Sequence, residues 1–156
     1  MTDWQLAAIA PHDLDAILAI DRSAFKRPWH RESFLEELTQ VNAYSYVVRA
    51  RLTDDNPGII AYVFLRVLLT EMHILRIAVA SDFQARGVAT WLLQQCFKLA
   101  EQKRAYSVLI EVRPTNKSAI ALYQKSGFHL LGRRPNYYPE TGEDALVMVK
   151  HLKEHL

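Results

Sequence analysis

The sequence predicts an α/β fold, and three observations carry that prediction. Strand-like and helix-like periodicities alternate through the second half, and a turn signal joins two strands in the first half. No repeat, low-complexity stretch or Pro/Gly-rich linker divides the 156 residues. Half of the residues are hydrophobic and 23% are charged, the ordinary balance of one globular domain with a real core. The expectation is a single domain over residues 1–156. A formal net charge of +2 is too small to argue for nucleic acid. The lone Cys96 allows no internal disulfide and suits a reducing compartment. Asp3, Asp13, Asp15 and Asp21 interrupt any apolar leader, and no apolar run is long enough to span a membrane. The expected location is the cytoplasm.

Residues 12–25 read as a helix, with Leu14, Ile17, Leu18 and Phe25 at helical spacing. Pro28 and Trp29 end it, and "RESFLEELT" (31–39) reads as a second, short helix. Strands follow near 44–51 and 58–67, joined by the turn signal Asp54-Asp55-Asn56-Pro57-Gly58. A third strand covers about 72–80, and a long amphipathic helix runs over about 87–104. "SVLIEVR" (107–113) is another strand. Asn116 is placed to cap a helix over 117–126, and Gly127 follows it as a C-terminal glycine would. Strands near 128–134 and 145–150 close the chain.

The stretch "QARGVA", Gln84 to Ala89, joins a strand to the long helix. A helix N-terminus presents unpaired N–H donors and a partial positive charge, so a tight turn there can converge on a phosphate or diphosphate. Gly87 removes the side chain where an anion must approach, Ala89 keeps the next position small, and Arg86 adds charge. The plainer reading is a turn that needs glycine for geometry alone. A P-loop and the three-glycine dinucleotide fingerprint are both absent.

Read together, "IAVASDFQARGVATWLL" and "LIEVRPTNKSAIALYQKSGFHLLGRRPNYYPETGEDALVM" resemble the GNAT N-acetyltransferases. The most specific pieces are Asn116 to Phe128, then Asn136-Tyr137-Tyr138-Pro139 followed by Glu143-Asp144-Ala145. Together with "RPWHRESFLEEL", they resemble the bacterial RimI-type branch, which acetylates the N-terminal alanine of a small-subunit ribosomal protein. The resemblance implies the GNAT fold: a mixed central sheet of about six to seven strands flanked by four helices. It implies acetyl-CoA as cosubstrate, with no metal. The diphosphate would rest on the main chain of Gln84, Ala85, Arg86, Gly87, Val88, Ala89 and Thr90. The pantetheine arm would pair with Ile77, Ala78 and Val79, with Asn116 beside it. Ala85 departs from the basic residue common in relatives, which removes one phosphate contact.

Acetyl transfer to an amine needs the neutral amine, because an ammonium has no lone pair. Deprotonation at pH 7 costs about 1 kcal/mol for an α-amine and about 4.6 kcal/mol for a lysine. Glu111 is the candidate base, since it points away from the face shared by Val108, Ile110 and Val112. The plainer reading makes it the partner of Arg113 or another cation on an exposed face; the resemblance favours the base, acting directly or through a water. Tyr123 matches the family's general acid, which would protonate the leaving thiolate; otherwise it is a core aromatic beside Ala119 and Ile120. N–H groups near Val79 would polarise the thioester carbonyl. Cys96 reads as packing. The histidines show no metal spacing, and His151 with His155 reads as a solvated pair.

By resemblance, Phe25 to Trp29 and the loop Asn136 to Glu143 flank the acceptor groove. Tyr137 and Tyr138 would line it, unless both are half-buried strand residues, and Glu140 or Glu143 would attract a basic tail. Lys26-Arg27 and His30 depart from the RimI pattern, on the acceptor side only. Two other readings stay open: the same chemistry on a lysine, polyamine or other small amine, and an acyl-CoA-binding module without turnover.

Overall fold

The computed structural model describes residues 3–53 and 56–152. In chain order the elements are β1 (Gln5–Ala8), α1 (Leu14–Ala24), α2 (Arg31–Leu38), β2 (Ala43–Thr53), β3 (Asn56–Leu68), β4 (Glu71–Val79), α3 (Val88–Gln102), β5 (Ser107–Val112), α4 (Lys117–Lys125), β6 (His129–Tyr138) and β7 (Glu143–His151). Short 3₁₀ turns at Pro11–Asp13 and Ser81–Phe83 precede α1 and α3. The strands form one mixed seven-stranded sheet in the order β1-β2-β3-β4-β5-β7-β6. This agrees with the expected strand and helix count.

The expected elements are present, with one addition. β1 was not expected, since "QLAA" carries no alternating pattern; its pairing with β2, from Gln5↔Arg49 to Ala8↔Tyr46, makes it a strand. Of the expected turn, Asp54-Asp55 lie outside the described residues, as does His155, whereas Asn56, Pro57 and Gly58 belong to β3, paired with β2.

The chain packs as two compact units, one comprising residues up to Arg66 with Arg76–Leu92, the other Val67–Leu75 with Leu93 onward. In the first unit, α1 and α2 bury Leu14, Ile17, Leu18 and Phe34 against Val47, Tyr62 and Phe64. Phe34 is at the centre, 5.0 Å from the Phe64 ring and 5.1 Å from Trp29. In the second unit, β5 buries Val108, Ile110 and Val112 and leaves Ser107, Leu109 and Glu111 half-buried, as the period-2 pattern predicts. Phe97 of α3 meets Phe128 at 5.7 Å, and Phe128 meets Tyr123 of α4 at the same distance. Cys96 is buried, as expected, and burial pushes its thiol up to about 12. No helix among the described residues is long and apolar enough to cross a membrane.

Two features prepare the site. β4 pairs with β5 in parallel only from Glu71↔Ser107 to Ile74↔Ile110, although β4 continues to Val79 and β5 to Val112. Asn116 caps α4: its side-chain oxygen accepts the Ala119 N–H at 3.3 Å. The helix ends on Gly127, whose φ of +100° suits a residue without Cβ.

Candidate active site

The turn ahead of α3 is built from its backbone outward. The 3₁₀ turn closes with the Phe83 N–H on the Ala80 carbonyl at 2.9 Å, and the Gln84 side chain donates back to the Val79 carbonyl at 3.2 Å. Gln84 is extended, then Ala85 and Gly87 adopt left-handed φ values of +61° and +84°. Two left-handed residues so close together turn the chain sharply into the start of α3. Helix bonding begins with the Trp91 N–H on the Gly87 carbonyl at 3.0 Å. The N–H groups of Val88, Ala89 and Thr90 therefore head the helix, and no acidic residue sits in its first turn. A Cβ at Gly87 would meet nothing within 4 Å. Glycine is needed there for its φ, and the space above it is open as well. The turn thus has the donors and the clearance a diphosphate requires. The Arg86 guanidinium lies 5.2 Å from the Phe83 ring centroid.

At the end of β4, the Ala80 N–H is already used by the Ile60 carbonyl at 2.7 Å, so it is not a free donor. Ile77, Ala78 and Val79 extend beyond the β4–β5 ladder. Just before them, Arg76 grips Asp21 of α1 through Nε at 2.6 Å and Nη2 at 3.0 Å. Asp21 is fully buried and also accepts the Tyr62 hydroxyl and, at 2.8 Å, the Trp29 N–H. Burial and the Asp21 hydrogen bond raise the Tyr62 phenol. The Arg76 guanidinium covers the Phe25 ring at 3.7 Å and the Trp29 ring at 5.1 Å. The segment Phe25 to Trp29 is thereby pinned to the first unit's core.

In the second unit, the Glu111 carboxylate faces Arg134 of β6, with Nε 3.1 Å from Oε1. Tyr137 hydrogen-bonds to the same carboxylate; that bond first, and burial second, push its phenol up to about 12. Glu111, Arg134 and Tyr137 line a pocket of about 80 Å³ with His73, Leu109 and Val147. The cation beside Glu111 is therefore Arg134, not Arg113. Arg113 is engaged elsewhere: with Glu143 at 3.2 Å, with Glu140 at 3.4 Å and over the Tyr138 ring at 3.7 Å. Hydrogen bonds from Thr115 first, then Thr141, hold the Glu143 carboxyl below its ordinary value. Both acidic residues expected to attract a basic tail are thus paired with Arg113.

Tyr137 and Tyr138 stand edge to face at 5.1 Å; Tyr137 is exposed and Tyr138 half-buried. Tyr123 is buried, and burial raises its phenol, with a smaller contribution from Tyr138. Such a phenol keeps its proton throughout the neutral range. The oxygen of Asn116 is committed to the helix cap, which leaves its amide nitrogen as the group turned to other work. Among the described residues, no three His, Cys, Asp or Glu side chains cluster as metal ligands would.

Two residues of the site escaped the sequence reading. Arg134 is one of two adjacent arginines, and the ladders through β7 select it: Glu111 lies opposite Val147, Val147 opposite Gly132, and Arg134, two residues on, shares that face. Asp21 was legible as a charge on an otherwise apolar helix face, a sign of a buried pair.

The family model of the GNAT acetyltransferases matches residues 14–128. The ribosomal protein bS18-alanine N-acetyltransferase of Salmonella typhimurium is 32% identical over 145 residues, covering 92% of this chain and 94% of that protein. An N-alpha-acetyltransferase of Sulfolobus acidocaldarius is 32% identical over 163 residues, covering 96% and 94%. The crystal structure of the Escherichia coli ribosomal-protein-alanine N-acetyltransferase superposes with a TM-score of 0.86 at 27% identity, covering 98% of this chain and 96% of that one. The family model over residues 14–128, and relatives matched over nearly their whole length, lead to one assignment: the chain belongs to the GNAT family and is an N-acetyltransferase.

Proposed function

We propose that residues 1–156 form a single N-acetyltransferase domain that transfers acetyl from acetyl-CoA to the α-amine of a protein N-terminus. The acceptor residue is alanine, and the natural acceptor is a small-subunit ribosomal protein in the cytoplasm. The observation that carries this reading is the Glu111 pocket: a half-buried carboxylate in a small recess that Arg134 and Tyr137 also line. The names of the relatives support the choice of acceptor.

Acetyl-CoA supplies an activated acyl thioester. The N–H groups of Ala85 to Thr90 hold its diphosphate, the Gln84 N–H being used by the Ser81 carbonyl at 3.4 Å, and the open space over Gly87 admits it. Main-chain groups of Ile77, Ala78 and Val79, which lie beyond the β5 ladder, align the pantetheine arm. Asn116 is assigned to cofactor binding as well, through its amide nitrogen. Glu111 takes the proton of the attacking amine, directly or through a water, and Tyr123 delivers a proton to the departing sulfur. Burial keeps the Tyr123 phenol protonated at neutral pH, the state its task as a donor requires. Phe25, Trp29, Tyr137 and Tyr138 border the acceptor.

The test is an acetyl-CoA assay over a panel of N-terminal peptides, an α-blocked lysine peptide and a polyamine, with mass spectrometry locating the acetyl group. The expected result is acetylation at the α-amine, fastest on alanine-starting peptides. Transfer only to lysine or the polyamine would replace the proposed acceptor. No turnover with any amine would leave only an acyl-CoA-binding module.

A further inference from the structure

The cation paired with Glu111 has a consequence for which amines the pocket admits. Glu111 sits on β5, Arg134 and Tyr137 on β6, His73 on β4 and Val147 on β7, all lining one recess of about 80 Å³. His73 is itself paired with Glu71 at 2.9 Å. Arg133, the neighbour of Arg134, pairs with Asp144 at 3.3 Å, and Arg113 with Glu140 and Glu143. Among the described residues, Glu111 is the ion-pair partner of Arg134.

A lone carboxylate in such a recess would attract any ammonium ion, and lysines and polyamines are ammonium ions at neutral pH. Paired with a guanidinium 3.1 Å away, the carboxylate offers a site of no net charge. An approaching ammonium then meets attraction and repulsion together, whereas a neutral amine meets no penalty. At pH 7 about a tenth of an α-amine population is neutral, against fewer than about one lysine in a thousand.

We propose that Arg134 is a specificity-determining residue, whose guanidinium, paired with Glu111, biases acceptance toward amines that arrive neutral and against ammonium-bearing side chains and polyamines. This rests on the reading of Glu111 as the base. Arg134 works through Glu111, as a positioning charge. Its side chain is 55% exposed on the edge strand β6, so its replacement is compatible with folding.

The experiment compares kcat/KM for an alanine-starting peptide with kcat/KM for an α-blocked lysine peptide and for spermidine. The proteins are wild type, Arg134→Gln and Arg134→Lys, each assayed from pH 6.5 to 9.5. In Arg134→Gln the preference for the α-amine is expected to fall by about tenfold or more, the order of one removed charge near the site. The pH dependence on the lysine peptide should also flatten, because the ammonium can now bind first. Arg134→Lys should keep the wild-type preference. An unchanged ratio in Arg134→Gln overturns the proposal, as does a loss of preference in Arg134→Lys equal to that in Arg134→Gln. Should Arg134→Gln fail to fold, Arg134→Met is read in the same way. Failure of the underlying reading looks different: wild type then acetylates no α-amine, or Glu111→Gln turns over normally.

Discussion

Asp21 and Glu111 are each held by an arginine, and they differ in almost everything else. Asp21 is fully buried and accepts from Arg76, the Tyr62 hydroxyl and the Trp29 N–H. Glu111 is 27% exposed, with Arg134 and Tyr137 as its partners and a pocket beside it. A sealed charge is tolerable only when its lone pairs are met, and a charge so satisfied has nothing left to give a substrate. A half-open pair gains little stability but keeps lone pairs for chemistry. The same two functional groups therefore make a structural joint in one unit and, in the proposed function, a reactive site in the other.

The comparison breaks most visibly at Asp21. Asp21→Ala strands Arg76 and the Tyr62 hydroxyl and is expected to cost about 3–5 kcal/mol, read as a lower urea midpoint. Next in size, Tyr123→Phe should lower kcat by about 10²–10⁴-fold with CoA affinity retained in calorimetry. An unaltered kcat would remove Tyr123 from the acid role. At Ala85, whose φ is +61°, glycine relieves left-handed strain; Ala85→Gly should raise stability by at most about 1 kcal/mol by thermal melting.

The smallest effect concerns pH. Glu143 is held below its ordinary value, so its contribution to stability is present above the unfolded value of about 4.3 and fades as pH falls through the lowered one. Thr115→Val removes the largest cause of that lowering. The variant should be slightly less stable than wild type above about pH 5, with the difference closing in acid. A difference that grows toward low pH would contradict the assignment.

Much of this was legible in the sequence because period and punctuation carry it. Val108, Ile110 and Val112 alternate and are buried, Asn116 caps α4, and Gly87 takes the positive φ that a tight turn demands. What escaped depends on pairing across distance. β1 is a strand only because β2 offers it a ladder, and Arg134 rather than Arg113 reaches Glu111 because β7 joins β5 to β6 in a register that puts both on one face. No local pattern encodes either choice. By periodicity alone Glu111 is a carboxylate on the less buried face of a strand, a position shared by many ordinary surface residues; the family resemblance is what marks it as the proposed base.

The most direct measurement is kcat for Glu111→Gln with an alanine-starting peptide, taken together with its melting temperature. The account predicts a fall of about 10²–10⁴-fold in kcat, with a change in stability below about 1 kcal/mol, as befits a half-exposed pair. Undiminished turnover would contradict it, and so would a loss of activity explained by unfolding, for Glu111 would then be a joint of the same kind as Asp21.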